Sequence, residues 1–369
     1  MNKAVQSVRG TAIAIGLTAM CGVGNASAQS NVTVYGIIDA ALAHTSNADA
    51  AGNAITKMPS LTGSLPSRFG LRGTEDLGDG LAAVFTLENG FTPDTGSLGQ
   101  GGRLFGRQAW VGLRGKWGTL QLGRILNMTF LATARSDVMG PNLFSISSID
   151  LYLPNARSDN AIGYYGNLDG VLLGATYSFG RDGSAAGGPS ATGCAGEVAS
   201  NSRACRQYTA LLGYESKAYG VTTSYDKLYG NTGAANGLTS SNHYDRRITA
   251  NGYHMVGGAK LGAGVIDRKT DAATGVVDSD LYYLGISAPV TDFVTLDTQV
   301  ARKNIKGSSD DTNMLVLRLT YAFSIRSAVY AGIGRMDNRG AAANALDAGG
   351  TVGAGKAQNG VMAGMRHTF

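Results

Sequence analysis

Segments of about ten residues, in which apolar and other side chains alternate, recur along most of the chain and leave few folds open. In NMLVLRLTYAF, Leu315, Leu317, Leu319, Tyr321 and Phe323 share one face, while Met314, Val316, Arg318, Thr320 and Ala322 share the other. DLYYLGISAPV sets Tyr282, Leu284, Ile286, Ala288 and Val290 against Leu281, Tyr283, Gly285 and Ser287. FVTLDTQVARK sets Val294, Leu296 and Val300 against Thr295, Asp297, Gln299 and Lys303. Side chains in a strand alternate between its two faces, so each segment reads as a strand with one apolar face. Roughly ten residues also suffice to cross a bilayer at a tilt of about 45°.

Sixteen such segments can be marked, beginning near Val32, Ser64, Gly80, Arg103, Gly118, Asn160, Gly170 and Arg206, then Tyr219, His243, Gly257, Asp278, Asp292, Asp311, Ser327 and Asn359. An even count suits an antiparallel barrel with both ends on one side. The connections alternate in length. GTEDLGDG, RGKWGT, GNLDG, SAPVTDF and FSIRS are short, whereas residues 45–63, 127–159, 180–205 and 338–358 are long and rich in Gly, Ala, Ser and Asn. Tight turns on one side and long loops on the other predict an all-β fold, a 16-stranded antiparallel transmembrane β-barrel. A soluble sandwich has no reason for that regularity.

Composition agrees without deciding. The 54 Gly, 16 Tyr and 7 Pro accompany a charged fraction of only 15%. Overall hydropathy is near zero, as it would be for a soluble β protein or for a barrel whose strands alternate apolar and polar. The start of the chain places it outside the cytoplasm. Lys3 and Arg9, an apolar centre from Ala12 to Met20, and ASA before Gln29 form a secretory leader, residues 1–28, ahead of a single domain at 29–369. Cys21 invites a lipid-anchor reading, but Met20 is bulky where a small residue is wanted. Removing the leader leaves 29 basic against 26 acidic residues, a net +3 too small to argue for nucleic acid. Cys194 and Cys205 then remain, in GCAGEVASNSRACRQ; in an exported chain they read as a disulfide, with two free thiols as the alternative.

At the other end, GVMAGMRHTF alternates up to Phe369. A strand that keeps its pattern to the last residue is expected to be held or read at its end. VTVYGIIDAALAHTSN, SRFGLRGTEDLGDGLAAVFTLENGF, LFGRQAWVGLRGKWGTLQLGR, NAIGYY and the terminal GMRHTF together resemble the general porins of β-proteobacteria, from Val32 to Phe369. The resemblance implies a water-filled barrel in the Gram-negative outer membrane, a homotrimer embedded in outer-membrane lipid that passes small hydrophilic solutes and inorganic anions. It also implies that the third long loop, within residues 127–159, folds into the lumen. Phe369 then resembles the signal read by the outer-membrane assembly machinery.

No catalytic residue is needed for such a task; charges at the narrowest point are, because low-dielectric walls focus their field. With Phe69 and Leu71 facing outward, alternation turns Arg68 and Arg72 to the lumen; Arg68 in a merely solvated wall is the plain alternative. The resemblance matches constriction arginines to Arg68, Arg107 and Arg157, with Arg124 nearby, and an acidic position to Glu88. Arg107 shares parity with Ala109 and Val111, so alternation would turn it outward unless a bulge or strand start intervenes. Arg157 falls in loop sequence. The inserted loop carries Asp137 and Asp150 together with Arg135, and lacks a strongly acidic stretch. Weak to moderate anion selectivity is the expectation.

Other signals weigh little. GTVGAGKA has Ala357 where a phosphate-binding loop needs Ser or Thr. His44, His243, His254 and His367 are scattered without metal-ligand spacing, and no cofactor is implied. The rival readings are a channel for one solute class such as organic acids or phosphate, an outer-membrane enzyme, and an adhesin or receptor acting through the long loops.

Overall fold

A computed structural model describes residues 31–60, 63–180 and 194–369; the expected leader at 1–28 lies outside them. Before the longest connection come β1 (Asn31–Thr45), β2 (Ile55–Lys57), β3 (Arg68–Gly78), β4 (Leu81–Gly90), β5 (Gln108–Gly115) and β6 (Gly118–Leu126). After it come β7 (Arg157–Leu168), β8 (Val171–Ser178), β9 (Gln207–Glu215), β10 (Tyr219–Tyr229), β11 (Tyr244–Val256) and β12 (Ala259–Ala272). The wall is completed by β13 (Gly275–Pro289), β14 (Val294–Ile305), β15 (Thr312–Ala322), β16 (Ser327–Asn338) and β17 (Ala357–Thr368).

Sixteen long antiparallel strands form one closed sheet, with the three-residue β2 as an added pairing. Each start read from alternation falls within five positions of an observed strand start. β2 is too short to carry a period; it folds back on the end of β1, Ala43 opposite Lys57. Tight turns close the hairpins on one side. Leu168 and Val171 face each other across Asp169 and Gly170, both with positive φ, the backbone that two-residue hairpins require.

The seam lies on β1. Its first half pairs with β3, from Asn31↔Thr74 to Ile37↔Arg68, and its second half with β17, from Ile37↔Thr368 to Thr45↔Gly360. Phe369 completes the ladder: its carbonyl accepts from Gly36 N–H at 3.0 Å and its N–H donates to Gly36 O at 3.1 Å. Gly36 is required there, since a Cβ would fall 2.2 Å from Phe369 Cζ.

Register fixes which face is which. Val32, Val34, Ile38 and Leu42 on β1, and Leu315, Leu319 and Tyr321 on β15, are exposed on the outside, while Asp39, Met314 and Val316 point in and are buried. Such a belt of exposed aliphatic side chains is stable against hydrocarbon rather than water. Outward tyrosines mark only part of the circumference: Tyr164, Tyr177, Tyr208, Tyr214, Tyr219, Tyr225, Tyr229, Tyr244, Tyr282 and Tyr321, on β7 to β11, β13 and β15. The outward strand positions of β1, β3 to β6, β16 and β17 hold no Tyr or Trp.

The connection at residues 127–156 packs against the inner face of the wall. It opens with a helix, Met128–Thr133, whose cap Asn127 accepts from Phe130 N–H, and continues through Ile146–Ile149, capped by Ser145. Met139, Leu143, Phe144, Ile146, Ile149 and Leu153 pack into one core with inward residues of the wall, among them Ile266, Leu281, Tyr283, Val316, Met336 and Met362. Fully burying side chains of this size stabilises by about 1.5–3 kcal/mol each. The connection is therefore an apolar plug fixed to one side of the barrel.

Candidate functional site

Opposite that plug, four charged side chains converge. Arg68 at the head of β3 and Glu88 near the end of β4 both point inward, their nitrogen and oxygen 3.7 Å apart. Arg107 lies one residue before β5, so strand alternation does not bind it; its Nε donates to Glu88 Oε1 at 2.7 Å. Tyr35 on β1 donates its hydroxyl to Glu88 Oε2 at 3.0 Å. Arg157 opens β7 and is 1% exposed; its Nε donates to the Arg107 carbonyl at 2.7 Å and its Nη1 to the Pro154 carbonyl at 3.1 Å. Arg68 and Arg107 thus pair with one carboxylate and Arg157 is bonded beside them, so three basic side chains gather around one acidic one. Arg72, two inward positions further along β3, stacks over the Tyr35 ring at 5.3 Å.

The plug faces this cluster with neutral groups. A small gap of about 10 Å³, no larger than a water needs, is bounded by Arg107, Pro66 and Gln100 on the wall side and by Pro141, Asn142, Ser147 and Pro154 of the connection. Neither loop acid is engaged there. Asp137 accepts from Gln299 on β14 at 2.8 Å, and burial pushes its carboxyl up to about 6 against the hydrogen bonds it accepts. Asp150 accepts two bonds from Arg247 on β11, at 2.9 and 3.1 Å. Burial alone would raise the Asp150 carboxyl, but Arg247 and Arg268 outweigh it and hold it well below the usual carboxylate range. Arg247 also bonds Asp245 at 3.0 Å and lies 4.2 Å from the Tyr152 ring centroid, while Arg268 reaches Asp245 at 2.6 Å. This second cluster is a latch: it clamps the far end of the plug to β11 and β12. Asp245, Arg247 and Arg268 were not singled out from sequence, although alternation along YDRRITANGY sets Asp245, Arg247, Thr249 and Asn251 on one polar face.

Arg124, expected near the constriction arginines, sits on β6 beside them. Its register opposite Ala109 aligns it with outward Leu120 and Leu122, and a bulge separates Gly123 from Ile125. There its Nε donates to the Gly106 carbonyl at 2.7 Å, and it pairs with Asp159, which also lies 3.4 Å from Arg103. It braces the start of β7 and lies near the cluster, close enough to Arg157 for their like charges to interact. Cys194 and Cys205 are joined as a disulfide, buried with Tyr152, Ala156, Leu228 and Leu238, so it ties the fourth long loop over the end of the plug.

The structure thus sets a closed barrel, a long connection packed on its inner wall, and three arginines gathered around Glu88. Among the described residues no cluster of metal-ligating side chains occurs. A family model described as Gram-negative porin matches residues 11–341. Outer membrane porin protein 32 of Delftia acidovorans is 31% identical over 96% of this chain and 99% of its own length. An outer membrane porin protein of Bordetella pertussis is 30% identical over 84% of this chain and 89% of its own. Among solved structures, an anion-selective porin from Comamonas acidovorans superposes with a TM-score of 0.77 and 26% identity, covering 92% of this chain and all of that one. These relatives are channels rather than enzymes, and with the closed sixteen-stranded wall they establish that the chain belongs to the Gram-negative porins of the outer membrane.

Proposed function

We propose that the barrel is a water-filled channel for passive diffusion of ions and small hydrophilic solutes, with a preference for anions set by Arg68, Arg107 and Arg157. The observation that carries this is the charge balance at the narrowing: three guanidinium groups, one carboxylate, and a facing loop whose acids are engaged elsewhere. The printed description of the Comamonas relative as anion-selective supports the same reading. A narrower version, a channel with a weak preference for small carboxylates or phosphate, draws on the same arginines. Saturating flux and competitive block separate that version from free diffusion.

The protein functions as a homotrimer in this reading. Tyrosines gather where a wall meets lipid headgroups, and the tyrosine-free arc from β16 through β6 is the surface a neighbouring subunit would cover. Residues 1–28 direct export, and the strand ending at Phe369 is the segment presented to the outer-membrane assembly machinery. The test is a planar bilayer under a potassium chloride gradient. Stepwise ohmic channels closing in threes, with an anion-directed zero-current potential that Arg68→Gln moves towards cations, are the expected result. A cation-directed potential in the parent protein would remove the arginine filter, and absence of conductance would remove the channel.

A further inference from the structure

Above the lipid-facing tyrosines the wall carries a row of like charges. Lys227 on β10, Arg246 on β11 and Lys269 on β12 are direct cross-strand neighbours on the outward face, beside the long loops. Like charges in this position repel, so the row is sensible only with anions at hand. Arg246 finds one within the wall, Asp267 at 2.7 Å, and Lys306 bonds Asp267 and Asp280 at 2.7 and 3.1 Å. Further round, Arg302 pairs with Asp311 and Arg335 with Asp337.

Lys227 in the row, and Arg203 and Arg206 next to it, have no carboxylate partner among the described residues. Lys227 Nζ lies 4.1 and 5.0 Å from the ring centroids of Tyr244 and Tyr229. Arg203 stacks over Tyr229 at 4.6 Å, and Arg206 over Tyr177 and Phe179 at 5.0 and 5.2 Å. The Arg206 guanidinium bonds only neutral oxygens, of Ser202 and Tyr177. The rings themselves are continuous: Tyr177 to Phe179 at 4.9 Å, Tyr177 to Tyr208 at 5.4 Å, and Tyr208 to Tyr229 at 6.3 Å. Immediately towards the middle of the wall come exposed Tyr225, Ile248, Leu212 and Val221. The patch is therefore an aromatic shelf at headgroup depth, holding three uncancelled positive charges above an apolar surface.

We propose that this shelf, formed by the loop-side ends of β8 to β11, binds a membrane lipid with a phosphomonoester headgroup. The phosphoryl group, carrying about −1.5 to −2 charges, sits among Arg203, Arg206 and Lys227, and the acyl chains run down past Tyr225 and Ile248. Ring stacking fixes the three cations without neutralising them, which leaves their charge for the headgroup.

The test uses the folded protein in phosphatidylcholine nanodiscs containing a minor fraction of phosphatidate, with retained lipid counted by native mass spectrometry. The parent protein is expected to retain phosphatidate in preference to phosphatidylcholine. The triple change Arg203→Gln, Arg206→Gln, Lys227→Gln is expected to lower that retention on the order of a hundredfold, and Lys227→Gln alone by roughly fivefold. The charge-keeping set Arg203→Lys, Arg206→Lys, Lys227→Arg retains the lipid, as does Arg335→Gln, which removes a paired rim charge elsewhere. Should the triple variant not fold, the single Lys227→Gln comparison decides. Unchanged retention in the glutamine variants, or an equal loss in Arg335→Gln, overturns the proposal. Complete displacement of phosphatidate by millimolar inorganic phosphate overturns it as well, since the site would then recognise a free anion.

Discussion

Replacing Asp150 with Asn tests the latch that positions the plug. The carboxylate is 8% exposed and accepts both Arg247 bonds; Asn keeps its size but offers one acceptor and turns a donor towards the guanidinium. Breaking a buried ion pair from one side costs about 3–5 kcal/mol. Asp245 still neutralises Arg247 at 3.0 Å, so the lower figure of about 2–3 kcal/mol is the working value, close to one lost charged hydrogen bond. The barrel wall does not depend on that pair, and the loss falls on the docked state of residues 127–156. A shift of that size multiplies the population of undocked loop by roughly 30- to 150-fold. Single-channel recordings should show current noise and brief substates rising by about that factor, with unchanged heat resistance of the folded barrel on gels. Removing the partner as well, in Asp150→Asn with Arg247→Gln, takes away the guanidinium left facing the amide and should restore much of the quiet current, a coupling that the double-mutant cycle measures directly. A quiet channel in the single Asp150→Asn variant would refute the latch.

Four other outcomes can be checked. Glu88→Gln removes the one carboxylate among the arginines, and even at bulk-water dielectric a charge about 4 Å from a passing ion is worth about 1 kcal/mol; the anion-to-cation permeability ratio should rise by roughly fivefold, read from the zero-current potential. Asp137 titrates in the accessible range: its raised carboxyl gives docking a contribution fully present below the ordinary value of 3.8 and lost as pH rises through about 6. Lowering pH from 7 to 5 should therefore quieten the loop and make the potential more anion-directed, and Asp137→Asn should abolish that dependence. Opening the disulfide with Cys194→Ser and Cys205→Ser should cost the fourth loop about 2–3 kcal/mol, seen as faster proteolytic nicking there with conductance retained. Gly36→Leu should push Phe369 off the seam, costing about 1–3 kcal/mol and lowering the temperature at which the barrel unfolds on gels.

The strands were legible because a two-sided wall writes its period into every segment, and because tight turns alternate with long loops. The same logic set Arg68, Arg72 and Glu88 on the inner face. It failed where the ladder is irregular. Arg107 escapes its parity because β5 starts one residue later, and Arg124 is carried to the outer side beside a bulge that no sequence signal announces. The partners of Asp137 and Asp150 were equally unreadable, since they lie on β14 and β11, far along the chain. Arg246 and Arg247 were readable together: adjacent residues in a strand must part, one entering the latch and the other the outer rim.

The seam has a consequence for how such a wall comes into being. β1 meets β17 across more than 300 positions, Thr45 opposite Gly360, whereas, β2 aside, every other neighbouring pair joins strands consecutive in the chain. Loop-closure entropy grows only as the logarithm of length, so shutting the ring costs about 4 kcal/mol more than shutting a tight hairpin. Circumference thus adds little to the free energy and much to the time, because long-range contacts form last. Until they do, a complete set of hairpins still presents two bare edges of hydrogen-bonding groups, and the edge of a second copy fits each as well as the native one does.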